Sequence, residues 1–269
     1  MKKNIKMAIL VAFLGVFVAC SSESTPTYSE LGSDNYPQKF YVEYVPCTYG
    51  ANWSPEAFNQ DMLPGWQELL VEVDSTIVAA YGLTYEGEKP EDAPGDGFWQ
   101  LIWNSKADAD AGWETWESYE KTADWSESTA DILACGTKAE TFSFDAYVRR
   151  DGNALGAFNL ESFSSDYQQC LYNEGQGSSE LIAVIDQFEE WIESSDSSIY
   201  APYSYVVLAP DYEDEEVDLF WGNFNQNAEL RDAGNAYFLK TGTDIQDAFD
   251  KVMTCEDPID YVTGEIPLT

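Results

Sequence analysis

A set of positions occurs twice in this chain, in the same order. Phe40, Tyr44, Cys47 and Tyr49 return 123 residues further on as Phe163, Tyr167, Cys170 and Tyr172. Ser54-Pro55-Glu56 is answered by Ser178-Ser179-Glu180, and Ala80-Tyr81-Gly82 by Pro202-Tyr203-Ser204. Phe98-Trp99 and Trp103-Asn104 are answered by Leu219-Phe220 and Phe224-Asn225, Ala111-Gly112 by Ala233-Gly234, and Cys135 by Cys255. A duplication of this kind constrains the fold more than any composition does, because one stretch of about a hundred residues has to form the same supersecondary unit twice. Residues 39–150 and 160–269 are the two copies, joined by a linker at 151–159.

Each copy predicts the same element order. Residues 39–47 alternate aromatic and polar side chains, the period of a strand. Ser54 and Pro55 start a helix that runs to about Val73, with Pro64-Gly65 as a place to kink. Strands follow at about 76–86 and 98–103, separated by an acidic turn. A helix from Lys106 to Tyr119 continues as a second helix from Asp124 to Cys135, and Phe142 to Arg149 closes the copy. The second copy predicts strands at 162–170, 203–209, 218–224 and 259–263, and helices at 179–194, 228–238 and 244–254. The class is α+β, and the order is that of the ferredoxin-like unit, βαββαβ. The alternation in the third strand puts Trp99, Leu101 and Trp103 on the helix-covered face. Its counterpart puts Phe220, Gly222 and Phe224 there, with Gln100, Trp221 and Asn223 on the opposite face. Asn104 and Asn225 stand just ahead of helices, where capping is the simple role.

The junction from Trp103-Asn104-Ser105-Lys106-Ala107 to Ala111-Gly112-Trp113 resembles the third-strand-to-second-helix junction of dimeric α/β-barrel proteins. That resemblance implies two tandem ferredoxin-like repeats packed as a pseudo-dimeric α/β barrel within one chain. Many members of that superfamily bind or oxidise small aromatic or lipid-like compounds. The unit's topology further implies that the end of its first strand and the end of its second helix share one pole. Of the three pairings open to four cysteines, it therefore selects Cys47 with Cys135 and Cys170 with Cys255.

The first nineteen residues have the three parts of a secretory signal: Lys2, Lys3 and Lys6, an uncharged apolar run from Met7, and small Ala19 ahead of Cys20. Phe17-Val18-Ala19-Cys20 resembles a lipobox, which implies cleavage after Ala19 and lipidation of Cys20. Residues 20–38, rich in Ser, Pro, Gly and acids, read as a tether. The expectation is an exported protein held by lipid in the cell envelope. Ser21 in place of Asp favours the outer membrane over the inner one.

The chain has 13 basic and 49 acidic residues, a formal charge of −36, and no histidine. Nucleic acid is excluded as a partner on charge. The missing histidine removes the commonest general base and metal ligand, and with them Ser-His and Cys-His catalysis. Zinc does not suit four cysteines so far apart in an exported chain. The acidic excess reads either as a solvated surface or as a cation site. Glu213, Asp214, Glu215 and Glu216 form the densest acidic turn, and Asp151-Gly152-Asn153 opens like a calcium loop that Leu155 and Ser162 then break.

Gln100, Trp221 and Asn223 are the candidate ligand-binding residues, an aromatic wall with amide hydrogen-bond groups; the alternative is a filled interface. Arg149 and Arg150 could clamp a carboxylate or phosphate, or simply offset the acids around them. No catalytic residue can be named and no metal site is expected. No cofactor is expected either, with Ca2+ as the alternative. The first reading is a non-catalytic lipoprotein that binds a small molecule or an envelope protein. The alternatives are a cofactor-independent monooxygenase-like enzyme and a structural or assembly-accessory lipoprotein.

Overall fold

The structure, a computed structural model, describes residues 39–150, 157–195, 202–212, 214 and 216–269. Cys20, the leader, the tether and the Asp151-Gly152-Asn153 stretch lie outside the described residues, as do Glu213 and Glu215. The fold is mixed α+β. It divides into two compact units: a first of Phe40–Phe144 with Thr263–Thr269, and a second of Asp145–Val262 with Lys39 from the N-terminal side.

In the first unit, β1 (Lys39–Tyr49) leads to α1 (Pro55–Ala57), a π turn (Phe58–Met62) and α2 (Leu63–Glu72). The expected single helix from Ser54 to Val73 is thus interrupted ahead of Pro64, a residue with no N–H for a helical hydrogen bond. The Ser54 hydroxyl caps its start by accepting from the Ala57 N–H at 3.0 Å. Strands β2 (Ala79–Tyr85) and β3 (Gly97–Trp103) follow, then α3 (Lys106–Ser118) and α4 (Glu120–Thr129). Ser105, not Asn104, caps α3, its hydroxyl accepting from the Asp108 N–H at 3.1 Å.

The helix expected to reach Cys135 stops at Thr129, and Leu133–Cys135 forms a short strand β4 that pairs antiparallel with β1, Cys47 opposite Cys135. The order across this sheet is β2–β3–β1, with β4 on the far side of β1. The core lies between the sheet and the helices, with Tyr41, Val45, Trp99, Leu101 and Trp103 facing Met62, Trp66 and Leu70.

The second unit repeats the order. It holds the Asp145–Arg150 part of β5 (Phe142–Arg150), then β6 (Phe163–Tyr172), α5 (Ser178–Ser194), β7 (Tyr203–Pro210), β8 (Leu219–Asn225), α6 (Ala228–Thr241) and α7 (Thr243–Val252). Strand β9 (Met253–Cys255) pairs with β6 so that Cys170 stands opposite Cys255. The last strand, β10 (Ile259–Glu265), also pairs with β6. Asn227, not Asn225, caps α6 by accepting from the Leu230 N–H at 2.9 Å.

Both expected disulfides are present, Cys47–Cys135 and Cys170–Cys255. The pairing follows from the ladder: each first-strand cysteine faces its partner across one antiparallel step.

The ladder corrects one part of the sequence alignment. Cys47 stands opposite Gly97, and Cys170 opposite Leu219. Gly97 therefore corresponds to Leu219, and Trp99 to Trp221 rather than to Phe220. Matching aromatic to aromatic slipped the third strand by one residue. A slip of one moves every side chain to the other face of the sheet. Trp221 lies on the helix-covered face, stacked on Tyr205 with centroids 4.8 Å apart and packed against Phe188 and Phe249. Asn223, two residues on, shares that face.

Candidate functional site

Two buried carboxylates, Glu43 and Asp166, stand on the cysteine-bearing strands β1 and β6. Glu43 and Asp166 each stand four residues before the bridged cysteine of their strand, on the same face as that cysteine. Their surroundings differ completely.

Glu43 has no exposed surface. Its Oε2 accepts from the indole N–H of Trp103 at 2.9 Å and of Trp113 at 2.6 Å. Its Oε1 pairs with the Lys138 ammonium. The residue opposite it on β3 is Leu101, which offers nothing polar. Burying a carboxylate costs several kcal/mol unless it is paired and hydrogen-bonded, and here both conditions are met.

Asp166 is 3% exposed. The residue opposite it on β8 is Asn223, whose Nδ2 donates to Asp166 Oδ1 at 2.8 Å. The Asn223 side chain is itself fixed, because its Oδ1 accepts from the Tyr203 hydroxyl at 2.8 Å and the Trp221 indole N–H at 2.9 Å. The amide orientation follows from those two donors. Asp166 Oδ2 is buried and accepts no hydrogen bond. Desolvation pushes the Asp166 pKa up to about 6, against the hydrogen bond from Asn223; the nearby Asp260 charge adds to the rise and Arg231 opposes it. Arg231 is occupied by Ser164 at 3.1 Å, Asp260 at 3.2 Å and Asp232 at 3.1 Å.

Asp166 lines a cavity of about 510 Å³ between the sheet of the second unit and its helices α6 and α7. Phe188, Trp221, Phe238 and Phe249 supply its aromatic wall, and Asn223, Asn225 and Arg231 its polar groups. A carboxyl that titrates at about 6, held by one oriented amide and with its second oxygen unengaged, can accept or return a proton.

Trp221 and Asn223 are thus placed in one cavity, on the face opposite to the one the sequence suggested. Gln100 is elsewhere, in the first unit, where its Nε2 donates to the Tyr44 hydroxyl at 2.9 Å, and it lines neither this cavity nor the one described below. Arg149 and Arg150 are buried on β5. Arg150 does hold a carboxylate, but one of the protein's own: Glu189 on α5, at 3.0 Å. Glu189 also accepts from the Tyr205 hydroxyl at 2.6 Å. Arg149 faces Asp186 of the same helix at 3.9 Å. Asp166, the residue with the most perturbed chemistry on the cavity wall, was not singled out from the sequence. The available signal was its match to Glu43 at the offset of 123.

No protein-family model matches the chain, and no curated protein matches it. Among solved structures it is similar to a candidate monooxygenase from Fusobacterium nucleatum, at 8% identity over 86% of this chain and 93% of that one, with a TM-score of 0.45. It is similar to a mutant chlorite dismutase from Candidatus Nitrospira defluvii, at 9% identity over 85% and 92%, TM-score 0.48. It is also similar to a haem-binding protein from Thermus thermophilus, at 11% identity over 86% and 92%, TM-score 0.47. Likeness at this identity concerns fold alone.

Two expectations are nevertheless corrected. The first reading was a non-catalytic binding lipoprotein, whereas two of these three similar structures carry enzyme names. The expectation of no cofactor, with Ca2+ as its alternative, stands against the name of the third, a haem-binding protein. Among the described residues no group of three or more Cys, Asp and Glu side chains could hold a metal ion.

Haem can be tested against the residues themselves. The chain has no histidine, and Cys47, Cys135, Cys170 and Cys255 are consumed in disulfides. Tyr203, the phenol on the cavity wall, donates to Asn223. The wall carries Asp166, Asp250, Glu256 and Asp257 against Arg231, a poor balance for two propionates. A histidine- or thiolate-ligated haem does not fit this cavity.

Proposed function

We propose that this chain is an exported, monooxygenase-like enzyme. It takes a small aromatic molecule into the cavity of the second unit and uses Asp166 to remove a proton from an acidic O–H group. The observation that carries the reading is Asp166 itself: a carboxyl pushed up to about 6, lining a cavity, with Oδ2 lacking any partner. A buried acceptor left unmade costs about 1–3 kcal/mol, and a substrate hydroxyl donating to Oδ2 would recover it. Asn223 fixes the carboxylate plane, Trp221 and Phe249 offer faces for the ring, and Arg231 adds positive charge as the substrate oxygen becomes negative.

The same proposal includes what the sequence implies outside the described residues. The chain is made of two ferredoxin-like copies and is anchored by acyl chains on Cys20 in the cell envelope, at the outer membrane. Among the described residues no helix is long and apolar enough to cross a membrane.

4-Nitrophenol tests the reading, because its colour reports its own ionisation. Bound beside ionised Asp166 it should show a shifted phenolate band, with proton transfer that saturates with protein and disappears in Asp166→Asn. An unchanged spectrum, or the same shift in the variant, rejects Asp166 as the proton acceptor.

A further inference from the structure

The first unit has a cavity of its own, of about 370 Å³, lying between its sheet and helices α2, α3 and α4. Six of the chain's nine tryptophans line it: Trp66, Trp99, Trp103, Trp113, Trp116 and Trp125. Three of their indole N–H groups are committed. Those of Trp103 and Trp113 donate to Glu43, and that of Trp125 donates to the Met62 carbonyl at 3.2 Å. The Trp99 ring is 5% exposed and its Nε1 is buried without an acceptor. Indole N–H is a donor only, and buried donors left unpaired call for an explanation. The buried carboxylate that Trp103 and Trp113 hold, Glu43, is also paired with Lys138 and has nothing left to offer a ligand.

From this we infer a second ligand site, in the first unit, for a neutral, mainly aromatic molecule that carries one hydrogen-bond acceptor such as a carbonyl. The tryptophan wall provides apolar area and ring faces for an aromatic guest. The unpaired Trp99 N–H selects a guest with an acceptor. An aromatic enclosure also suits organic cations, but a cation cannot accept from Trp99. An anion would meet a chain of net charge −36. The site is independent of Asp166 and does not rest on the proposed reaction.

The probes are 2-acetylnaphthalene, naphthalene and phenyltrimethylammonium. Each is titrated into the full chain carrying Trp221→Phe, which silences the tryptophan of the other cavity, with quenching of tryptophan emission as the readout. The ketone should bind about fivefold more tightly than naphthalene, the value of one hydrogen bond. Trp99→Phe should abolish that preference, so that ketone and naphthalene bind the variant alike. The comparison of ketone with hydrocarbon needs no Trp99 variant, so it stands even if Trp99→Phe folds poorly. Equal binding of ketone and naphthalene overturns the inference, as does a preference that survives Trp99→Phe, tightest binding of the cation, or no saturable quenching by any probe.

Discussion

Glu43 and Asp166 occupy matching places on their strands, yet one carboxylate is sealed by two indoles and a lysine while the other keeps an unengaged oxygen. The difference begins with the residue across the ladder, Leu101 for Glu43 and Asn223 for Asp166. Leu101 offers Glu43 nothing polar, whereas Asn223 donates to one oxygen of Asp166 and leaves the other unengaged.

Neutralising the two should therefore move stability in opposite directions. A carboxyl whose folded pKa is raised binds its proton more tightly folded than unfolded. As pH climbs from about 4 to about 6, the unfolded chain has already lost the Asp166 proton while the folded chain still holds it, so stability falls, by at most about 3 kcal/mol. Asp166→Asn removes that loss. It should be more stable than the parent at pH 7, with the gain vanishing below about pH 4. Glu43→Gln should be less stable than the parent at pH 7, because it loses the Lys138 pair. Urea unfolding at pH 4 and pH 7 checks both, and a destabilised Asp166→Asn at pH 7 counts against the assignment.

How much of this could be read beforehand differs residue by residue. The cysteine pairing was legible, because four cysteines at matching places in a βαββαβ order leave one topologically simple choice. The helices and strands were legible from periodicity, except at Leu133–Cys135 and Met253–Cys255. There a three-residue strand comes within three residues of a helix end and carries too few positions to show a period. The faces of β8 were misread, because Gly97 corresponds to Leu219 and aromatic content pulled the alignment one residue away. Asp166 was hidden for a different reason. It is one of 49 acids, and what distinguishes it is burial and an absent hydrogen bond, neither of which is local in sequence.

Asn223 should act as a positioning residue for Asp166. Asn223→Leu places there the side chain that Leu101 has at the matching site. It removes the hydrogen bond that holds the Asp166 pKa down, so the protonation midpoint should rise above about 6. The pH dependence of the 4-nitrophenol spectrum measures the midpoint. The change also strips the Tyr203 hydroxyl and the Trp221 indole of their acceptor, costing about 1–3 kcal/mol. A midpoint that stays put or falls would remove Asn223 from the site.

Lys138 should matter through Glu43 alone. Lys138→Met leaves a buried carboxylate without its counter-charge, a loss of about 3 kcal/mol for a pair of this kind. The double variant Glu43→Gln with Lys138→Met should recover much of that loss, so the cycle should be strongly non-additive. Additive losses in chemical unfolding would show that Lys138 stabilises the chain by some other contact, such as its approach to Asp110 at 3.5 Å.

The two bridges make the last prediction. Each closes a long stretch of chain, with sequence separations of 88 and 85, and in the chain-entropy model loops of this length contribute about 4–5 kcal/mol each. Each joins the first strand of a unit to the short strand beside it, so each should act on its own unit. Cys47→Ser should free Cys135 to alkylation and leave Cys170 and Cys255 protected. Hydrogen exchange should then speed up in β1 and β4 while β6 and β9 keep their protection. Cys170→Ser should give the mirror result. If either substitution exposes the other pair, or if exchange rises equally in all four strands, then the bridges do not stabilise the two units separately.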